Sequence, residues 1–133
     1  MVKRWLLAGV LLLACFLAVG CQQQTAPAPP KSGDWTASTE FGELRFAVSS
    51  NGTGIAQISF DFVDFECAGS QMSGGVSIEN ENLWPITDGQ FIINVSTFPV
   101  WYVVVKGEFD KAGTQASGTW EISAEGTICA EGT

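Results

Sequence analysis

Residues 57–67 read QISFDFVDFEC, and this stretch decides the fold class. Apolar side chains occupy every second position from Ile58 to Phe62, which predicts a half-buried β-strand. The alternation slips by one residue between Phe62 and Val63 and then continues to Cys67. Such a slip predicts either a β-bulge or a strand that crosses between two sheets.

Further strand patterns recur along the chain, separated by turn residues such as those at 51–54 (NGTG) and 87–90 (TDGQ). From Asp34 onward no stretch has helical periodicity. The other strands are predicted at 43–48, 76–78, 91–95, 100–109 and 119–124.

Seven or eight strands at roughly ten-residue spacing are typical of an all-β domain. No amphipathic helix is available to cover a sheet, so the apolar faces must cover one another. The sequence therefore predicts a single antiparallel β-sandwich or jelly-roll-like domain over residues 34–133, with a small closed β-barrel as the alternative.

The N-terminus differs from the rest of the chain. Two basic residues, Lys3 and Arg4, precede an apolar run over 5–19 that ends at Gly20-Cys21. The run is shorter than the roughly 20 residues that a membrane-spanning helix needs. A basic start, a short apolar segment and small residues before a cleavage site predict a signal peptide over residues 1–20.

The stretch Ala18-Val19-Gly20-Cys21 resembles the end of a bacterial lipoprotein signal, where the cysteine becomes the lipidated first residue. Cys15, after Leu12-Leu13-Ala14, is a second candidate. Cleavage before Cys15 would leave the apolar residues 16–19 at the new terminus. Cleavage before Cys21 leaves a Gln- and Pro-rich segment, so residues 21–33 are predicted to be a lipidated cysteine and a flexible tether.

This resemblance implies that fatty acyl chains such as palmitate tie the protein to the cell membrane or outer membrane, on its extracytoplasmic side. Of the four cysteines, Cys15 would leave with the signal and Cys21 would be acylated. Cys67 and Cys129 remain as an even pair in an oxidising compartment. We therefore expect a disulfide between them.

Acidic residues dominate the charge. The chain carries fourteen Asp and Glu against six Lys and Arg, a net charge of −8. Removal of Lys3 and Arg4 with the signal would leave four basic residues and a net charge of −10. Such a surface repels phosphate backbones, so we expect no nucleic-acid partner. Separately, the processed protein is predicted to be a monomer.

The predicted function is that of a non-catalytic binding or structural module, with an envelope protein or a cell-surface glycan as partner and without a cofactor. The stretches 85–91 and 107–109 with 116–120 loosely resemble small β domains of bacterial envelope proteins, a likeness that implies fold but no activity. Histidine is absent, which excludes the usual nucleophilic triads and most zinc sites. A small envelope enzyme using carboxylates from Asp61, Asp64 and Glu66 is the remaining catalytic alternative.

Two sets of side chains are candidates for ligand contact. Carbohydrate modules stack sugar rings on exposed aromatic side chains, and the candidates for this are Trp84, Trp101 and Tyr102. Calcium needs several oxygen ligands, and the weak candidates for this are Glu79, Glu81 and Asp88.

Overall fold

The computed structural model describes residues 26–97 and 101–133, and within them every regular element is a β-strand. The strands are β1 (Gly33–Thr39), β2 (Gly42–Val48), β3 (Gly54–Cys67), β4 (Ser70–Thr87), β5 (Gln90–Thr97), β6 (Trp101–Phe109), β7 (Ala116–Ala124) and β8 (Thr127–Gly132). The all-β prediction is confirmed. None of the described residues belongs to a helix that could cross a bilayer. The predicted signal peptide and Cys21 lie outside the described residues.

The eight strands form one antiparallel sheet in sequential order, from β1 to β8, and this sheet is nearly closed into a barrel. Each strand pairs with the next one along the chain. The halves β1–β4 and β5–β8 face each other across one core, as in the predicted sandwich. The sequential order differs from the crossover connections of a jelly roll, and it is the order of the barrel alternative.

Aromatic side chains join the two halves. The ring of Phe46 in β2 lies 5.3 Å from that of Phe91 in β5, measured between centroids. Trp35 in β1 meets Phe109 in β6 edge-on at 5.1 Å. These contacts exist because inward positions alternate with outward ones along each strand, so that large apolar side chains meet in the middle.

The predicted slip in the third strand is a bulge. The pairing of β3 with β4 shifts register between Phe62 and Phe65, and Asp64 within that shift has φ 52°. Phe62 and Phe65 are both buried, while Val63 and Asp64 between them are exposed. The extra residue therefore lets β3 keep its apolar side chains in the core on both sides of the slip.

Alternate loops of a sequential meander lie at alternate ends of the barrel. We call the end with the β2–β3, β4–β5 and β6–β7 loops the strap end, and the opposite end the disulfide end. At the disulfide end Cys67 of β3 is bonded to Cys129 of β8, with Cα atoms 5.2 Å apart. The predicted disulfide is confirmed.

The strap end takes its name from residues 27–31, which cross it before β1 begins and which we call the strap. The backbone N–H of Ala28 donates to the carbonyl of Lys111, 3.1 Å away, and that of Lys31 donates to the carbonyl of Gly113 at 2.9 Å. Both acceptors lie in the β6–β7 loop. The last residues of the predicted tether are thus hydrogen-bonded to the domain.

Two prolines of the strap fit against glycines of the loops. A Cβ atom on Gly113 would lie 2.5 Å from the carbonyl oxygen of Pro29, and one on Gly52 would lie 3.1 Å from that of Pro30. Pro30 itself is buried. Glycine at these positions therefore lets the strap approach the loop backbones closely.

Asp110 organises the loop that holds the strap. Its Oδ1 accepts from the backbone N–H groups of Thr114 and Gln115, at 2.7 and 3.0 Å. The hydrogen bonds from Gln115 and then Thr114 lower the pKa of this carboxyl below its ordinary value of 3.8.

We expect the disulfide to supply a large share of the stability. It closes a loop with a sequence separation of 62, for which the chain-entropy estimate is about 4 kcal/mol. The Cys67→Ala/Cys129→Ala double variant should lose about that much free energy of unfolding in urea titrations. A reductant should destabilise the wild type similarly and leave the double variant unchanged; equal stability of oxidised wild type and variant would contradict this.

We expect Asp110→Ala to loosen the strap. The β6–β7 loop supplies the two carbonyl groups that hold the strap, and this variant removes the carboxylate that shapes the loop. Amide exchange at Lys31, followed by NMR at neutral pH, should become faster. Lys111→Ala is the matched control, since only the backbone carbonyl of Lys111 holds the strap.

The same interaction predicts a pH dependence. The pKa of Asp110 is lower in the folded state than the ordinary 3.8, so its contribution is present above that value and is lost as the pH falls through the folded pKa. The Trp35 indole N–H, which donates to the Lys31 carbonyl at 2.9 Å, reports on the strap. Its NMR signal should shift with acid in the wild type and show no such step in Asp110→Ala.

Candidate functional site: the seam cleft

The barrel is open along one line. β1 and β8 are the two ends of the strand order, and each pairs on one side only. β8 ends at Gly132, opposite Trp120, so residues 116–119 of β7 have no partner from β8. We call the gap between β1 and this part of β7 the seam. The end of β8 closes the gap on the side of the disulfide end, which we call its upper end; its lower end is at the strap end. Two sheet edges thus face each other among the described residues.

A cleft of about 450 Å³ lies at the seam. Its volume falls within the range of pockets that hold small ligands. The side chains of its floor are apolar and come from both halves of the barrel: Leu44, Phe46, Phe91, Val105 and Trp120. The cleft therefore gives access to the aromatic core.

The cleft exists because the inward positions along the seam carry small residues. Ala37 in β1 pairs with Leu44, and it faces inward by alternation yet is exposed. Ala116 and Gly118 are the corresponding inward positions of β7, and both are exposed. In a small barrel large side chains usually fill this space. Here it stays open.

Gly107 fixes the floor of the cleft. It is paired with Gly118 across β6 and β7, and a Cβ atom at Gly107 would collide with the ring of Phe91. The missing side chain lets the Phe91 ring approach the β6 backbone closely. The floor is therefore closely packed, and the open volume lies above it.

The outward side of the seam is polar and mostly acidic. Outward positions that line the cleft carry hydroxyl groups: Ser38, Ser117 and Thr119. Just above them, Glu121 of β7 lies directly opposite Glu131 of β8. Two like charges in such a pair repel each other. Asp34 lies at the other end of the β1 edge, while Lys106 is opposite Thr119 on β6.

The structure places the two candidate tryptophans at opposite ends of the barrel. Trp84 pairs with Ile55 near the start of β3, and Trp101 lies 6.0 Å from Phe65 near its end, between ring centroids. Ten residues of extended strand separate these levels, about 30 Å. Both indoles are partly buried against the core. They therefore do not share one stacking surface.

Tyr102 points away from its neighbour Trp101, because successive residues of a strand face opposite sides. Its side chain is 51% exposed on the outer surface, in register with Ser96 and Ser123. A ligand on that surface would meet Tyr102 without Trp101.

The three candidate calcium ligands are spread along one strand and its turn. Glu79 and Glu81 are exposed on β4, and Asp88 lies in the β4–β5 turn with φ 52°. In the part of the chain that the structure describes, no three His, Cys, Asp or Glu side chains are grouped to hold a metal ion.

The carboxylates considered for catalysis lie on the outside of β3. Asp61 accepts from Nη2 of Arg45 at 3.0 Å. Asp64 and Glu66 are exposed at and beyond the bulge. None of the three lines the seam cleft.

No protein-family model, curated protein or solved structure matches this chain. The geometry of the seam is therefore the support for a functional site at this place. Sequence reasoning missed this site, since it is made by small inward residues and unpaired edges rather than by reactive or aromatic side chains. The one signal in the sequence that could have indicated the cleft is the side-chain size at the inward positions of β1, where only Trp35 is large.

Two inward-facing alanines, Ala37 at the seam and Ala124 in the packed core, should change the free energy of unfolding in opposite directions when each is replaced by phenylalanine. We expect Ala37→Phe to leave the free energy of unfolding unchanged or to raise it by up to about 2 kcal/mol, because the ring fills the cleft. Ala124→Phe, at a buried position on β7, should lose roughly 1–3 kcal/mol by overpacking. Urea titrations measure both, and an equal loss in the two variants would show that the cleft is not open.

Proposed function

We propose that this protein is a non-catalytic binding module, held by a lipid on the extracytoplasmic side of the cell envelope, and that the seam cleft is its binding site. The observation that carries the proposal is an open apolar cleft between two strand edges that pair with no other described strand, beside a tightly packed core. Ile55, Ile58, Ile93 and Ile122 have at most 1% of their surface exposed, which shows how tightly the rest is packed.

The chemistry of the cleft supports binding rather than catalysis. Its floor is apolar, and the polar side chains at its rim are hydroxyl groups and the ammonium group of Lys106. The carboxylates of Glu121 and Glu131 line a neighbouring groove on the outer face and do not line the cleft. Such a site can take up an apolar group and fix its orientation through polar contacts at the rim.

The lipid anchor rests on the lipoprotein-like signal that ends at Cys21. Six residues lie between Cys21 and Ala28, the first described residue hydrogen-bonded to the β6–β7 loop, so seven Cα-to-Cα steps connect the two. That length of extended chain spans at most about 25 Å. With Cys21 acylated, the strap end would therefore stay near the membrane and the seam would run away from it.

The anchor predicts a difference between the two N-terminal cysteines. Cys21→Ser should abolish incorporation of labelled palmitate and move the protein from the membrane fraction to the soluble fraction. Cys15→Ser should keep both properties, because that residue would leave with the signal. Acylation that survives in Cys21→Ser, or is lost in Cys15→Ser, would contradict lipidation at Cys21.

The cleft predicts binding of a neutral apolar dye, N-phenyl-1-naphthylamine, whose fluorescence rises in apolar surroundings. A neutral probe is chosen because the acidic protein would repel an anionic one. Ala37→Phe should weaken dye binding at least tenfold by filling the cleft. Thr36→Phe, one residue away on the outward face, is the matched control and should bind like the wild type. Equal binding by all three proteins would place the dye elsewhere and refute the cleft as the site.

A further inference from the structure

We propose that the ligand of the seam is an extended polypeptide segment, which enters as an additional strand between β1 and residues 116–119 of β7. This inference rests on the proposed function, because it names the chemical class that the seam cleft takes. Three independent features of the seam support it: the backbone edges, the side-chain pattern and the charge.

The first feature is the pair of free edges. An unpaired strand edge presents N–H and C=O groups at every second residue, ready to pair with another chain. β1 and β7 run in the same direction, because strands alternate in a sequential meander. One segment lying between them would be antiparallel to both and would continue the line of β8 beyond Gly132. A polypeptide can satisfy both edges at once, which a small apolar molecule cannot do.

The second feature is the alternation along the seam. The inward positions that line the cleft are Ala37 in β1 with Ala116 and Gly118 in β7. Every second side chain of an inserted strand would point into this space, above the apolar floor. The intervening side chains would point outward, between the hydroxyl groups of Ser38 and Ser117. The seam therefore favours a segment with alternating apolar and polar residues, of about the seven-residue length of β1.

The third feature is charge. Glu121 and Glu131 face each other at the upper end of the seam, and Asp34 lies at the lower end of the β1 edge. Lys106 of β6 is the charged side chain that lines the cleft itself, and it leaves an excess of two negative charges among these four residues. A basic side chain at an outward position near Gly132 would relieve the repulsion between the two glutamates. The segment is therefore one that carries Lys or Arg among its outward residues.

The probe is the blocked peptide Lys-Val-Thr-Val-Lys-Val-Thr, with three comparison peptides. One has N-methyl groups on the valines, which removes backbone donors. The second has Glu in place of Lys. The third has the same composition with the alternation broken. Binding is measured by displacement of the naphthylamine dye and by NMR amide exchange of the whole domain.

We expect the parent peptide to displace the dye and to slow exchange within residues 33–39 and 116–119. Each comparison peptide should bind at least tenfold more weakly than the parent. Added salt should lower the affinity of the parent peptide, because it screens the contacts of its lysines. Ala37→Phe should bind the parent at least tenfold more weakly than Thr36→Phe, since the phenyl ring occupies the space of an inward valine.

The measurements separate failure of the inserted-strand proposal from failure of the seam cleft as a binding site. Dye binding without displacement by any peptide would overturn the strand proposal and leave the apolar cleft as a site for small molecules. Equal binding of the N-methylated and parent peptides would overturn strand pairing, because affinity would then owe nothing to the backbone. Protection confined to residues away from the two edges would overturn it as well. If neither dye nor peptide binds, the proposed function fails together with this inference.

Discussion

The sheet must bury its own apolar face, and the contacts of the Phe46 ring with the opposite half of the sheet are central to this burial. No helix among the described residues packs against the sheet, so burial can come only from the sheet curling onto itself. Phe46 stacks on Trp35 within its own half and contacts Phe91 and Phe109 of the other half. Aromatic pairs at such distances add to the free energy gained by burial alone. This contact joins the two halves of the sheet, and Phe46 and Phe91 also form part of the floor of the seam cleft.

The strands with large inward side chains were predictable from alternation. β2, β3 with its bulge, β5, β6 and β7 each carry such side chains, and the sequence indicated them all. In this region the sequence predicted only a short strand at 76–78. The structure has a strand from Ser70 to Thr87, irregular at Leu83 with φ 58°. Pairing with the long β3 maintains β4 where its own sequence has no alternating apolar residues.

The sequence indicated neither β1 nor β8, and β1 is the strand whose small side chains open the cleft. β1 has one large inward residue, Trp35, followed by Ala37 and Thr39. Weak alternation hides such a strand from pattern reasoning, and the same small side chains leave the inside of the barrel unfilled. Candidate residues chosen by type, such as Trp84 or Glu79, could not reveal this site. Its defining properties are missing volume and missing strand pairing, which depend on which strands meet in the folded sheet.

An open seam would let a sheet of this kind unroll unless both edges were held by something other than each other. β8 is held at the disulfide end, where Cys129 is joined to Cys67 of β3. β1 is held at the strap end, where the residues before it are hydrogen-bonded to the β6–β7 loop. Each fastening connects one side of the seam to the other, at opposite ends of the barrel. The edges between them can therefore stay unpaired while the core remains closed, which is the condition for a strand to be admitted without unfolding the domain.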